Sequence, residues 1–188
     1  MKLLQWGNAK LDFPVFNIPA SQEICGRTCS GCYSHKAYRI WPSILVAQQK
    51  RYEATLQPDF VSRIKKELKS FRRPFKYVRI HASAGEFYNN EYIKSWYRIV
   101  STFPEITFYA YTKRIKELDF TEIGKLPNFV LINSFHFGRL NYGTREKAPP
   151  NAFICPHVKG SHVKCGFDCT HCMTKGQADV KSVYFIQH

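Results

Sequence analysis

The sequence predicts an α/β fold: a partial (βα) barrel-like parallel sheet, followed by a C-terminal cysteine-rich metal-binding tail. Three observations carry this expectation. Strand-like and helix-like segments alternate over residues 76–134, and such alternation implies parallel βαβ units. Small, polar or charged residues follow each strand-like segment, which is where functional groups gather in parallel sheets. Two C-x3-C-x2-C clusters stand near opposite ends of the chain. The chain therefore divides into a βα core over 1–137 and a loop with a metal-binding tail over 138–188.

Residues 1–12 read as a lead-in. Residues 13–19 are extended and apolar, and Pro14 and Pro19 make them an edge or first strand rather than a central one. The first cysteine loop, Cys25 to Tyr33, comes next. Residues 34–51 read as mostly helical, with Pro42 at an early turn or break. His35, Lys36, Tyr38, Arg39, Lys50 and Arg51 give that stretch a basic, aromatic face, either a nucleic-acid surface or a solvated helix side. Gln57-Pro58-Asp59 opens a helix to about residue 70, with Val61, Ile64 and Leu68 at helical spacing. Residues 76–81 alternate as a strand, and the small residues of 82–86 permit close backbone approach. The helix over 90–101 buries Tyr92, Ile93, Trp96, Ile99 and Val100, and its aromatics, with Tyr88, read as core. A strand over 106–111, a shorter helix over 115–125 and a strand over 129–134 complete the core. The cysteine loop, Ser83 to Glu86, Thr112 to Arg114 and Asn133 to His136 should then meet at one rim. Residues 138–152 read as a loop and 182–186 as a last strand.

A length of 188 residues with 44% hydrophobic residues suits one domain with a real core. No apolar run reaches membrane-spanning length, and the first ten residues do not form a signal peptide. The expectation is a cytoplasmic protein with no membrane partner. Lys and Arg number 28 against 14 Asp and Glu, a net charge of +14 that favours a polyanionic partner, most simply DNA or another nucleic acid. The seven cysteines are an odd count, which with no secretory signal argues against a disulfide framework. Thiolates suit iron–sulfur clusters and zinc. Cys25, Cys29 and Cys32 form a three-thiolate site, which borrows a fourth ligand or keeps one position open for chemistry. Cys155, Cys165, Cys169 and Cys172 make a complete set for a second cluster or structural zinc.

The first cluster, with Tyr33 directly after it and Ala84-Gly85-Glu86 after the next strand, resembles the radical S-adenosylmethionine (radical SAM) enzymes. That resemblance implies a 4Fe–4S cluster on Cys25, Cys29 and Cys32, with SAM on the fourth iron. It implies that Tyr33, Ser83, Gly85 and Glu86 bind the cofactor. Gly31 stands where those enzymes carry an aromatic residue. The run Arg79 to Tyr88, Glu91-Tyr92 through Trp96, Phe108 to Lys113, and Cys155-Pro156 resemble the phage and plasmid proteins named after mycobacteriophage gene product eighty-eight. This implies a phage setting and the host cytoplasm. The tail also resembles the zinc site of tRNA-guanine transglycosylases, which implies a Cys3His set of Cys165, Cys169, Cys172 and His188.

The expected function is an iron–sulfur, radical SAM-like phage enzyme that modifies nucleic acid or a nucleotide base. Two alternatives stay open: a zinc-containing transglycosylase inserting 7-deazaguanine bases into DNA, and a non-enzymatic zinc protein that binds DNA. Glu86 and His81 are the catalytic candidates. Strand alternation places His81 on the same side as Arg79, either as a site residue or as a satisfied core histidine. Lys113, Arg114 and His136 read as phosphate or base contacts, or as a solvated edge.

Overall fold

A computed structural model of the protein describes residues 1–8, 10–26, 32–133, 153–154, 163–174 and 183–184. The architecture is mixed α/β. Five strands, β1 (Gln5–Trp6), β2 (Pro14–Phe16), β3 (Tyr77–Ile80), β4 (Thr107–Thr112) and β5 (Phe129–Asn133), form one sheet in chain order. β1 runs antiparallel to β2, and the other neighbours pair in parallel. The helices are α1 (Gln22–Cys25), α2 (Tyr33–Ile40), α3 (Pro42–Thr55), α4 (Phe60–Ser70), α5 (Asn90–Val100) and α6 (Thr121–Lys125). A short parallel pair, β6 (Phe153–Ile154) with β7 (Val183–Tyr184), stands as a second sheet. Among the described residues, no helix is long and apolar enough to cross a membrane.

The alternation of β3, β4 and β5 with helices is as the sequence predicts. The boundaries differ in three places. The lead-in carries β1, so β2 is flanked on both sides and is not an edge. Pro14 is tolerated there because it opens its strand, where the missing N–H removes little of the ladder. The stretch after the first cysteines is two helices meeting at Trp41, with Pro42 at the first position of α3, where a missing N–H is harmless. The helix expected over 115–125 begins only at Thr121. Arg114 closes a separate turn, accepting the N–H groups of Glu117 and Leu118 at 3.0 and 3.1 Å. Asn90 Oδ1 then accepts Asp119 N–H at 3.0 Å, and Asp119 Oδ1 accepts Thr121 N–H at 2.9 Å, so the backbone is diverted before α6 starts.

The sheet has two covered faces, as parallel strands require. On β3, Val78 and Ile80 point to the helix layer, while Tyr77 and Arg79 point the other way. The helix-side core centres on Trp96, fully buried, with its ring 5.3 Å from Phe16 and 5.9 Å from Phe60. Each such burial contributes on the order of 1.5–3 kcal/mol. On the other face, Phe13, Val15, Tyr109, Val130 and Ile132 pack with Met173 of the tail. The tail is anchored there by Cys165 N–H donating to Lys10 O at 2.8 Å and by a bridge between Cys165 and Leu11. Gly166 has φ 85°, and a Cβ on it would lie 2.9 Å from a ring carbon of Tyr77, so only glycine fits this approach.

Asn128, just before β5, closes the far end of the sheet. Its buried Nδ2 donates to the carbonyls of Val100, Phe103 and Ile106 at 3.1, 2.9 and 3.0 Å. Replacing Asn128 with Leu strands these carbonyls, and an unsatisfied buried polar group costs on the order of 1–3 kcal/mol. Urea unfolding is expected to show a loss of roughly 2–4 kcal/mol with an unchanged slope.

Candidate functional site

The C-terminal ends of β2, β3 and β4 lie side by side, and the loops that follow them are tied together there. Asn17 follows β2 directly and is buried, and its Oδ1 accepts the N–H of Ser83 at 2.8 Å. Ser34, in the first turn of α2 and two residues beyond Cys32, donates its hydroxyl to Ser83 O at 2.8 Å. Ser83 is thus held through both its peptide groups. Gly85, at φ 85°, presses onto the chain after β2: a Cβ there would lie 2.4 Å from Ile18 Cγ1 and 2.7 Å from Ile18 O.

Glu86 reaches across to the end of β4. Its Oε2 accepts Lys113 N–H at 2.9 Å, and its Oε1 accepts Phe87 N–H at 2.9 Å. Burial pushes its carboxyl above the ordinary range, against the opposing pull of those N–H groups and of the Thr112 hydroxyl. Arg114 donates through Nη1 to the carbonyls of Phe87 and Tyr88 at 3.2 and 3.1 Å, and through Nε to Glu117 at 2.7 Å. Its guanidinium also meets the end of α1, since a Cβ on Gly26 would stand 3.0 Å from Arg114 Cζ.

Cys25 and Cys32 are positioned by local rules. Ser21 caps α1, its hydroxyl accepting Ile24 N–H at 3.2 Å, and the helix ends at Gly26 in the left-handed conformation at φ 69°. This one-turn helix buries Ile24 and presents a half-buried Cys25 beside Arg114. Cys32, also half-buried, stands at the N-cap of α2, close in sequence to the Ser34–Ser83 bond. Cys29, Cys155, His136 and His188 lie outside the described residues.

His81 departs from expectation. β3 ends at Ile80, and His81 takes φ 56°, the left-handed region. That rotation turns its side chain away from Arg79 and into the helix-side core. Its ring lies 5.0 Å from Phe87, 5.8 Å from Tyr92 and 6.3 Å from Phe16. Tyr92 stacks in turn on the half-buried Tyr88 at 4.6 Å, as expected of core aromatics. Burial lowers the His81 pKa to about 3, so the ring is neutral.

The basic face after the first cysteines is narrower than the sequence implies. Lys36, Arg39 and Lys50 are exposed, with Tyr33 at 67% and Trp41 at 56%. Arg51 turns inward instead: burial lowers its pKa and the nearby Glu67 raises it. Tyr38 is also tied inward, accepting Ala20 N–H at 2.9 Å and donating to Gln48 Oε1 at 2.6 Å. Arg114 is no solvated edge, because its side chain is only 14% exposed.

In the tail, Cys165, Cys169 and Cys172 are half-buried. Lys164 N–H donates to Asp168 Oδ2 at 2.8 Å, and Gly166 N–H donates to Cys169 O at 2.8 Å, which folds Cys165 and Cys169 into a bridged turn. Among the described residues, no group of three or more His, Cys, Asp or Glu is close enough to hold a metal ion. Cys25 and Cys32 are the described thiols of the first cluster, and Cys165, Cys169 and Cys172 those of the tail, a donor type that suits thiolate-bound metals.

The profile of the family described as Gene product 88 matches residues 3–147. The chain belongs to the Gene product 88 family. The phage part of the sequence expectation is therefore borne out. The match spans the first cysteine cluster and every strand of the main sheet, and it ends before the tail cysteines. Searches of curated proteins and of solved structures return no match.

Asn17 and Ser34 were not among the candidates that the sequence suggests. A polar residue between Phe16 and Ile18 was the available signal for Asn17. Nothing local marks Ser34, whose partner is 49 positions away.

The depressed pKa of His81 fixes a pH dependence. As pH falls, the unfolded chain takes up this proton near 6.5, whereas the folded chain takes it up only near 3. The stability contributed by the neutral ring is thus fully present above about pH 6.5 and is lost as pH falls toward about 3, a span of a few kcal/mol. His81→Asn keeps a residue that tolerates the left-handed region. Its unfolding free energy should vary distinctly less than that of the wild type between pH 6.5 and pH 4, and equal slopes would show that another group sets the acid limb.

Proposed function

We propose that this member of the Gene product 88 family is a radical SAM-like iron–sulfur enzyme that modifies nucleic acid or a nucleotide base in the host cytoplasm. The observation that carries this reading is the Ser34–Ser83 hydrogen bond, which joins α2, beginning directly after Cys32, to the strand-end loop containing Gly85 and Glu86. A cofactor held jointly by the first cysteines and that loop needs this registration. In this reading the sheet is part of a (βα) barrel, and its strand ends form the mouth of the site.

Cys25, Cys29 and Cys32 would hold a 4Fe–4S cluster, and the tail cysteines a second cluster or zinc. Bound with SAM, the first cluster supplies one-electron cleavage chemistry that no side chain can perform. The chain supplies position and exclusion of water. Gly85 lets the backbone approach closely, and Ser83 is fixed through both peptide groups. Glu86 uses two of its roughly four acceptor sites on backbone N–H groups, which leaves acceptor capacity for the ammonium of SAM. The exposed Lys36, Arg39 and Lys50, beside Tyr33 and Trp41, offer phosphate contacts and ring faces to a nucleic acid.

The placement of Glu86 bears on the transglycosylase alternative. A nucleophilic carboxylate has to reach substrate, whereas Glu86 is 7% exposed with both oxygens accepting backbone N–H. The geometry favours a binding and bracing role. The bridged tail turn is the feature that favours structural zinc in the tail, and the non-enzymatic DNA-binding reading would rest on zinc at both clusters.

Anaerobic purification followed by iron, sulfide and zinc analysis tests this. The expected result is a brown protein with about four irons or more, bleached by dithionite, that forms 5′-deoxyadenosine from SAM. Cys29→Ser should lose the rim iron. Ser34→Ala should keep the iron and weaken SAM binding roughly tenfold by calorimetry, the effect of about 1.4 kcal/mol for one part-buried hydrogen bond. A colourless protein carrying only zinc overturns the reading.

A further inference from the structure

We propose that the corner between α2 and α3 is a wedge that enters the base stack of a nucleic-acid duplex, with Ile40, Trp41 and Val46 at its tip and Lys36, Arg39 and Lys50 on the flanking phosphates. This rests on the reading that nucleic acid is the substrate of the strand-end rim. It gives a task to an apolar surface that the rim itself does not use.

The corner is built by local rules and braced from within. α2 ends at Ile40 and Pro42 opens α3, so the two helices meet at Trp41. Trp41 N–H donates to Ala37 O at 2.8 Å, and Ile44 N–H donates to Trp41 O at 3.0 Å, which closes the last turn of one helix onto the first turn of the next. On the inner side, the Tyr38 hydroxyl accepts Ala20 N–H and donates to the buried Gln48, tying α2, α3 and the chain after β2 together. Gln48, Arg51 and Ala54, at helical spacing, are the buried side of α3. The corner is therefore a preformed prong.

Its outer side is apolar. Residues 39–46 are all exposed. Ile40, Trp41 and Val46 are each more than half exposed, with Ile44 and Leu45 beside them. Successive helical residues turn by about 100°, so the run from Ser43 to Val46, exposed at every position, stands out from the body. Single apolar residues on a surface need no explanation, but a contiguous group bordered by polar residues marks a partner.

The border selects that partner. Lys36 lies one turn before Ile40, Arg39 adjoins it, and Lys50 lies one turn after Val46, all three exposed. No Asp or Glu stands between Glu23 and Glu53. A second copy of the chain would bring like charges together here with no acid to offset them. The complement is a polyanion whose apolar interior lies between charged edges, as stacked bases lie between phosphates. Place in the fold favours nucleic acid over an anionic lipid surface. α2 starts directly after Cys32, beside the Ser34–Ser83 bond. Its 8 residues put the corner about 12 Å from the rim, the rise of about three to four stacked base pairs. A duplex gripped at the corner thus has neighbouring bases within reach of the rim. Apolar side chains inserted at a base step unstack it, and chemistry on a base requires that base to leave the stack.

The test mixes the anaerobically purified full chain with a short DNA duplex carrying 2-aminopurine, whose fluorescence rises when it unstacks. The wild type is expected to bind and to give a several-fold rise. Trp41→Ala combined with Val46→Ser should still bind in a salt-dependent way but lose most of that rise at saturating protein. Both positions are exposed, so folding is preserved. Lys36→Gln and Arg39→Gln should do the reverse: each keeps the rise at saturation, weakens binding and lowers the salt slope by about one. Binding without a rise in the wild type, or a full rise in the Trp41→Ala, Val46→Ser double variant, overturns the wedge and leaves the nucleic-acid reading standing. A protein that forms 5′-deoxyadenosine from SAM but binds no duplex or single strand at low salt overturns both the wedge and the nucleic-acid half of the proposed function. Sedimentation with phosphatidylglycerol vesicles, or self-association, that the double variant abolishes in the absence of a DNA response assigns the corner to lipid or to a second copy and overturns the wedge.

Discussion

The rim depends on how one residue, Ser83, is held. Asn17 takes its N–H from the β2 side, and Ser34 gives a hydrogen to its carbonyl from the α2 side. These two bonds fix the spacing between the strand β2, the helix after the first cysteines, and the loop leaving β3. The loop has to be held because β3 ends abruptly: His81 enters the left-handed region, which costs on the order of 1–3 kcal/mol for a residue other than glycine. Sealing the ring among Phe16, Phe87 and Tyr92 offsets that strain. Downstream, Gly85 can lie against Ile18, and Glu86 can reach the end of β4, only because the turn at His81 and the bracket at Ser83 have set their position.

Glu86 then has a mechanical part whatever its chemistry. Its carboxylate spans β3 and β4 by taking the N–H of Lys113, and Arg114 reaches back to the carbonyls of Phe87 and Tyr88. The two strand-end loops are cross-linked in both directions. Arg114 also lies against Gly26, so the end of α1 rests on the same cross-link. A cofactor bound at this rim would meet a preassembled floor rather than two independent loops.

Much of this order was legible in the sequence, for identifiable reasons. The alternating pattern of β3 and the strong apolar stripe of α5 are local signals, and both elements form where they were expected. The grouping of Ser83 to Glu86 with Lys113 and Arg114 followed from the parallel topology. What could not be read depends on contacts distant in sequence or on one dihedral angle. β1 is two residues long and exists only through its pairing with β2. Arg51 has a helical neighbourhood like that of Lys50, yet it turns inward towards Glu67. His81 lies two residues beyond Arg79 and should share its face by period two, but a single positive φ sends it to the other side of the sheet. The tail cysteines gave no sign in the sequence of which surface they would pack on.

That surface matters to the fold as much as to any metal. Parallel sheets bury both faces, and among the described residues the tail turn around Cys165 and Met173 packs on Phe13, Val15, Tyr109, Val130 and Ile132. The family match ends before this tail, but the face it covers lies wholly within the match. The cover also lies over Arg79, a half-buried cation whose guanidinium faces the rings of Tyr109 and Tyr111. β3 therefore carries two opposite solutions two residues apart: a neutral histidine turned into the helix-side core, and a cation held under the tail. The first fixes the shape of the rim. The second is held by the faces of the Tyr109 and Tyr111 rings, 5.7 and 4.8 Å from its guanidinium carbon.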